Sequence, residues 1–313
     1  MRRIQKLLAI CLSFICLFTF ITPAFAVGGA AEEQTQPFEN SAFFTVGDYR
    51  IHYREFPAEE PKGRIFMIHG FALSSYCFEM LAKEMVARGY TCVLADLPDF
   101  GYSTRETFDM EKLPREDIMH ALMTYLSPEP WFVAGHSMGG YVALGIAQKY
   151  PESVKNLLLY GTNGNDGTEG ARGAMMANPA FIRMMGPMME AMGKCRPLVR
   201  MLYVMACNDL SFAMRYDISK ITDPYEIEGT GAGAIINFSM LPATDYAAVK
   251  TMPPILFLNG GSDKVIADSA RVKLRAALPA GSVDITIPGA GHMVIETHAP
   301  QAADMTAAFL KAM

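Results

Sequence analysis

The sequence predicts an α/β fold: a mostly parallel central sheet flanked by helices, with one helical insertion. Three observations carry this reading. Short apolar runs alternate with helix-like stretches, the pattern of a parallel sheet covered on both faces. The rhythm stops near Asn163 and resumes after Lys250. Between an apolar run and a helix-like segment stands Gly135-His136-Ser137-Met138-Gly139-Gly140, a Gly-x-Ser-x-Gly turn.

The elements follow in chain order. Phe43–Val46 and Tyr49–Arg54 alternate and are joined at Gly47-Asp48, a hairpin signal. Arg64–Ile68 is an apolar strand running into His69-Gly70, and Phe78–Arg88 is helical. Thr91–Ala95 is the next buried strand, and Arg115–Tyr125 the next helix. Trp131–Ala134 leads into the Ser137 turn, Tyr141–Ala147 follows as a helix, and Val154–Tyr160 is another strand. Residues 163–250 hold 11 of the 23 methionines and no clear strand, so they read as a helical cap. In such sheets an insertion of this kind stands over the C-terminal strand ends, where ligands bind. Pro254–Asn259, a helix at Ser269–Ala277, the strand Val283–Ile287 and a helix at Pro300–Lys311 complete the core, assigned to 42–162 and 251–313.

The first 26 residues read as a secretory signal. Arg2, Arg3 and Lys6 precede the apolar run Leu7–Ile21, and Ala24-Phe25-Ala26 is a small-residue exit. The run of 15 residues is short for a membrane span, so cleavage and export are expected, with no stable span afterwards. Residues 27–41 are small and polar, a flexible mature N-terminus. Removing 26 residues from 313 leaves 287, with 24 Lys and Arg against 32 Asp and Glu, a net charge of −8. Such a chain is a poor partner for nucleic acid or an anionic membrane. The four cysteines beyond the signal fit no zinc spacing; Cys195 and Cys207 are near enough in sequence to pair or to stay free.

The chemistry is read from Ser137. A serine needs a base to attack a carbonyl, and the base needs an orienter. Asp263 follows the strand ending at Asn259, and His292 lies in Gly289-Ala290-Gly291-His292-Met293 after the last strand. Serine, acid and histidine thus appear in the order a nucleophile elbow requires. Asp166 is the rival acid and His298 the rival base. His136 should point away from the serine oxygen. Two backbone donors should form the oxyanion hole: Met138 N–H, and Phe71 N–H from the loop after the Ile68 strand. His69 should hold that loop by hydrogen bonds. Gly229–Gly233 fails the phosphate-loop pattern and reads as a cap hinge or loop.

Together His69-Gly70, Asp96–Ser103, Gly135–Gly140, Asp263 and His292 resemble the α/β-hydrolase superfamily over about Tyr49 to Lys311. The chain is most similar to its lid-bearing esterase, lipase and haloperoxidase-like branch. The resemblance implies the α/β-hydrolase fold with a cap, and a Ser137–His292–Asp263 triad needing neither metal nor organic cofactor. Ser137 stands apart from branches whose nucleophile is Asp. Asp99 departs from the family's usual glycine, and aspartate tolerates the left-handed turn. Met184, Met188 and Met189 should line an apolar pocket. The expected activity is cleavage of small-molecule esters with an apolar acyl or alcohol part. Lipase, thioesterase, acyltransferase or aminopeptidase action on the same triad is the alternative, as is a non-catalytic ligand-binding fold.

Overall fold

A computed structural model describes residues 36–167 and 175–313. The signal segment and residues 27–35 of the flexible N-terminus expected from the sequence lie outside the described residues.

The N-terminal hairpin pairs β1 (Ser41–Val46) with β2 (Tyr49–Phe56) in antiparallel register, Val46 opposite Tyr49. Gly47 opens the two-residue loop at φ +54°, the positive value such hairpin turns demand. Residues 37–41, expected within the flexible terminus, belong to the folded unit that runs to residue 313. Phe38 explains this: its ring stacks on Tyr76 and lies 3.9 Å under the Arg54 guanidinium.

The chain continues through β3 (Gly63–Ile68), α1 (Glu79–Ala87), β4 (Tyr90–Ala95), α2 (Arg115–Leu126), β5 (Trp131–His136), α3 (Met138–Lys149) and β6 (Val154–Tyr160). The insertion then contributes α4 (Pro179–Lys194), α5 (Arg196–Cys207), α6 (Leu210–Arg215), α7 (Ser219–Thr222), α8 (Thr230–Ser239) and α9 (Tyr246–Val249). The core closes with β7 (Ile255–Gly260), α10 (Val272–Ala277), β8 (Val283–Ile287), α11 (Val294–Thr297) and α12 (Ala299–Ala312). The eight strands form one sheet in the order β1-β2-β4-β3-β5-β6-β7-β8. β2 meets both neighbours antiparallel, and every later pairing is parallel.

The inner strands β3 to β7 are buried on both faces because alternate residues enter different cores. Phe66, Val133, Leu157 and Phe257 pack against α2 and α3. Met67, Ala134, Leu158 and Leu256 pack against α1 and α12. The second core continues into the insertion through Tyr203, Cys207 and Tyr216, so the cap shares a core with the sheet.

Gly229–Gly233, expected as a hinge or loop, instead opens α8, with Gly229 as its N-cap at φ +91°. Small residues are needed there for packing. A Cβ on Gly231 would stand 2.1 Å from the Gly186 carbonyl oxygen of α4, and one on Gly233 2.2 Å from Asp99 Oδ1. Cys77, Cys92, Cys195 and Cys207 are all free thiols. Among the described residues, no helix is long and apolar enough to cross a membrane.

Candidate active site

Ser137 sits between β5 and α3 at φ +53° and ψ −120°, a conformation that strains any residue with a Cβ. The glycines around it are required by contact. A Cβ on Gly135 would meet the Gly139 carbonyl oxygen at 2.5 Å, and one on Gly139 would meet the Ile68 carbonyl oxygen at 2.1 Å. The turn is held by Ser137 N–H donating to the Tyr160 carbonyl at 2.9 Å and by Thr162 Oγ1 donating to the Ser137 carbonyl at 2.8 Å.

His292 and Asp263 are brought together by the ends of β7 and β8. His292 Nδ1 stands 2.9 Å from Asp263 Oδ2, with both side chains buried. Asp263 Oδ1 accepts from the backbone N–H groups of Val265 at 2.8 Å and Ile266 at 2.9 Å. Burial opposes its charge, but hydrogen bonds from His292, Ile266 and Arg271 hold the Asp263 pKa down at about 2. Arg271 was not foreseen. It is fully buried, its Nη2 also binds Asp263 Oδ2, and its Nε donates to the Thr162 carbonyl at 3.2 Å. Nothing in the sequence distinguished it from the solvent-facing basic residues of the same amphipathic stretch.

Ser137 and His292 line one cavity of about 400 Å³, along with Gly70 and Phe71. Gly70 allows that loop to come close: a Cβ there would stand 3.1 Å from Ser137 Cβ. His69 anchors the loop. Its Nδ1 bonds the Gly70 carbonyl at 2.7 Å and its Nε2 accepts from Leu97 N–H at 3.0 Å. That pattern assigns the proton of a neutral ring to Nδ1, and burial accordingly lowers its pKa. Met138 opens α3, so its N–H is one of those without an intrahelical acceptor. His136 donates from Nε2 to the His292 carbonyl at 3.0 Å. Burial, then the neighbouring His292, push its pKa down to about 3 and keep it neutral.

The two rivals lie elsewhere. Asp166 is exposed and bound to Tyr246 and Lys273, each at 2.8 Å. His298 pairs with Thr297 Oγ1 at 2.9 Å, and neither rival lines the cavity.

The remaining lining is apolar: Met189, Met192, Val199, Leu202, Met205 and Val265 are its main aliphatic walls. Of the three methionines expected there, only Met189 lines it. Met184 is 66% exposed, and Met188 lies outside the lining. Helical geometry explains the position of Met184. Met189 and Met192 are three residues apart on one face of α4, while Met184 falls on the outer side. No Lys, Arg, Asp or Glu is among the described residues lining the cavity.

Residues 65–305 match the model of the Alpha/beta hydrolase family. The chain is 32% identical over 128 residues to an Abhydrolase domain-containing protein of Caenorhabditis elegans, covering 39% of this chain and 28% of that one. It is 29% identical over 137 residues to the 2-hydroxy-6-oxo-6-phenylhexa-2,4-dienoate hydrolase of Comamonas testosteroni, covering 42% and 47% respectively. The matches therefore span less than half of either relative. A thermophilic esterase from Thermogutta terrifontis shares the fold at a TM-score of 0.65 and 19% identity, over 84% of this chain and 94% of that one.

Proposed function

This chain belongs to the alpha/beta hydrolase family, and on that premise we propose that it is an exported serine esterase cleaving neutral carboxylic esters with an apolar acyl or alcohol part. One observation carries the reading: a strained Ser137 and an Asp263-paired His292 line the same apolar cavity. In this scheme Ser137 Oγ attacks the ester carbonyl while His292 Nε2 takes its proton. Asp263 holds the Nδ1–H tautomer and stabilises the imidazolium. Met138 and Phe71 N–H receive the oxyanion. His292 then returns its proton to the departing alkoxide, and water, deprotonated in turn by His292, frees the acid from the acyl-enzyme.

The walls favour a neutral substrate. A carboxylate buried in this cavity would have no cationic side chain among the described lining residues, and unpaired burial of a charge is costly. The Comamonas relative is named for a dienoate, so its kind of substrate is a useful contrast. Export rests on the basic start, apolar run and small-residue exit of residues 1–26.

A panel of neutral esters of rising acyl length, with Ser137→Ala as the blank and a carboxylate-bearing analogue as the contrast, tests the reading. Wild type should hydrolyse the neutral series and react with a fluorophosphonate at Ser137. Absent hydrolysis and labelling, or equal labelling of Ser137→Ala, would sink it. Fractionation with sequencing of the mature N-terminus tests export: a cytoplasmic, uncleaved chain would contradict it.

A further inference from the structure

The loop carrying His292 hangs on the cap. The end of α5 and the residue after it grip that loop on both sides of the histidine. The Ala206 carbonyl accepts from His292 N–H at 2.7 Å. Asn208 Nδ2 donates to the Gly289 carbonyl at 3.0 Å, and Tyr203 OH donates to Glu296 Oε2 at 2.7 Å. The backbones are in contact: a Cβ on Gly291 would stand 2.3 Å from the Ala206 carbonyl oxygen and 2.5 Å from Cys207. Asn208, an exposed residue, caps α5 in the left-handed conformation, φ +52°. Its Oδ1 also accepts from Lys264 Nζ at 2.8 Å, and Lys264 directly follows Asp263. One amide thus ties the loop of the histidine to the loop of the aspartate. The same helix lines the cavity with Leu202, Met205 and Ala206.

We propose that α5, ending in Asn208, positions His292 against Asp263, making the cap part of the catalytic apparatus as well as its roof. This rests on the reading that His292 serves Ser137. Asn208 touches neither the serine nor the cavity, so it is a positioning residue. Misplacing a catalytic group by about 1 Å can cost on the order of a hundredfold in rate, whereas a wall residue acts on binding.

Two substitutions at Asn208 test this with p-nitrophenyl acetate, a neutral ester too small to reach far into the cap. Asn208→Asp keeps the acceptor for Lys264 and tolerates positive φ, but loses the donor to Gly289. Asn208→Gly keeps the backbone and loses both bonds. In each, kcat should fall about tenfold with KM and melting temperature unchanged. Gly291→Ala drives a methyl between the loop and α5, and should lower kcat further. Wild-type kcat in both Asn208 variants would overturn the proposal. So would a raised KM at constant kcat, which would make α5 a pocket wall only. Undiminished hydrolysis by Ser137→Ala would instead overturn the serine-esterase reading beneath it, and is told apart by that variant alone.

Discussion

Ser41 heads a hydrogen-bonded series with the residue types of an acyl-transfer site: its Oγ lies 2.8 Å from His52 Nε2, and His52 Nδ1 lies 2.7 Å from Asp96 Oδ2. Yet His52 and Asp96 are fully buried, Ser41 lies on an ordinary strand, and none of the three lines the cavity. Residue type and hydrogen bonding therefore do not by themselves make the site. Backbone strain and access mark Ser137, and strain of that kind costs about 1–3 kcal/mol. Ser137→Gly should recover part of it, since glycine adopts positive φ freely. The variant should be inactive and more stable by about 1 kcal/mol, read from urea unfolding. Ser137→Ala keeps the Cβ and should gain nothing; equal gains would show that the strain is absent. Arg271 makes the complementary case. It is the only guanidinium on Asp263 among the described contacts, and both side chains are 1% exposed. Breaking a buried pair strands a charge, so Arg271→Met should cost about 3–5 kcal/mol. A loss below about 1 kcal/mol, the range of an exposed pair, would mean that water takes over the arginine's role.

At the scale of elements, what could be read from the sequence was whatever local chemistry dictates. The β5–Ser137–α3 elbow was legible because Gly135 and Gly139 stand where no Cβ fits. The inner strands β3 to β7 were legible because they are apolar runs, and β1 and β2 because they alternate on either side of Gly47-Asp48. The histidine loop's attachment to α5 was not, because Ala206 contributes only a backbone carbonyl, which no side chain announces. The inward face of α4 was equally hidden. Its methionines surround much of the helix, so sequence spacing could not say that Met189 turns inward and Met184 outward. Glu296 on α11 is a further element-scale feature. It accepts from Tyr203 and Tyr216 of the cap, each at 2.7 Å. Burial pushes its pKa up to about 8, against the lowering effect of the two tyrosines. The folded state thus holds a proton on Glu296 that the unfolded chain loses near its ordinary value of 4.5. Between those values the folded state binds more protons, so this group's contribution to stability falls as pH rises from about 4.5 to about 8. Glu296→Gln cannot ionise and should lack that decline. Melting temperatures of the two proteins, compared from pH 5 to 8, should diverge in favour of the variant; parallel curves would refute the protonated carboxyl.

Across the whole molecule, several contacts fasten the cap to the core, and two groups of them bear on the site and on its buried charges. One is the α5 grip on the histidine loop. The other is a cluster of ionised and polar groups in the segment after β4. Arg105 donates to Thr230 Oγ1 at 2.7 Å and to the Pro224 carbonyl at 2.9 Å on the cap side, and to the Gly101 carbonyl at 2.7 Å on the core side. Asn237 of α8 donates to the Pro98 carbonyl at 2.8 Å. Asp99, at φ +71°, lies against Gly233 of α8. Its charge is shared with Arg115, whose Nη2 is 3.0 Å from Asp99 Oδ2 and whose two terminal nitrogens bind Glu106 at 2.8 and 2.9 Å. The side chains of all three are fully buried. Burial, and the nearby Glu106 charge, push Asp99 up to about 6 even with Arg115 in place. Arg115 is thus the main counter-charge to two carboxylates, and Arg115→Met would leave both buried without it. At pH 8 the loss should be about 3–5 kcal/mol, the cost of stranding a buried charge. The sign of the pH dependence follows from the carboxylates. Without Arg115 the pKa of Asp99 rises further above its unfolded value, and Glu106, which Arg115 holds below its ordinary value against burial, moves upward too, so the folded state carries extra protons at low pH. Stability then falls as pH rises through that window. The variant should therefore lose less relative to wild type at pH 5 than at pH 8. Urea titrations at the two pH values decide it: an equal loss at both would mean that Arg115 contributes packing and not charge.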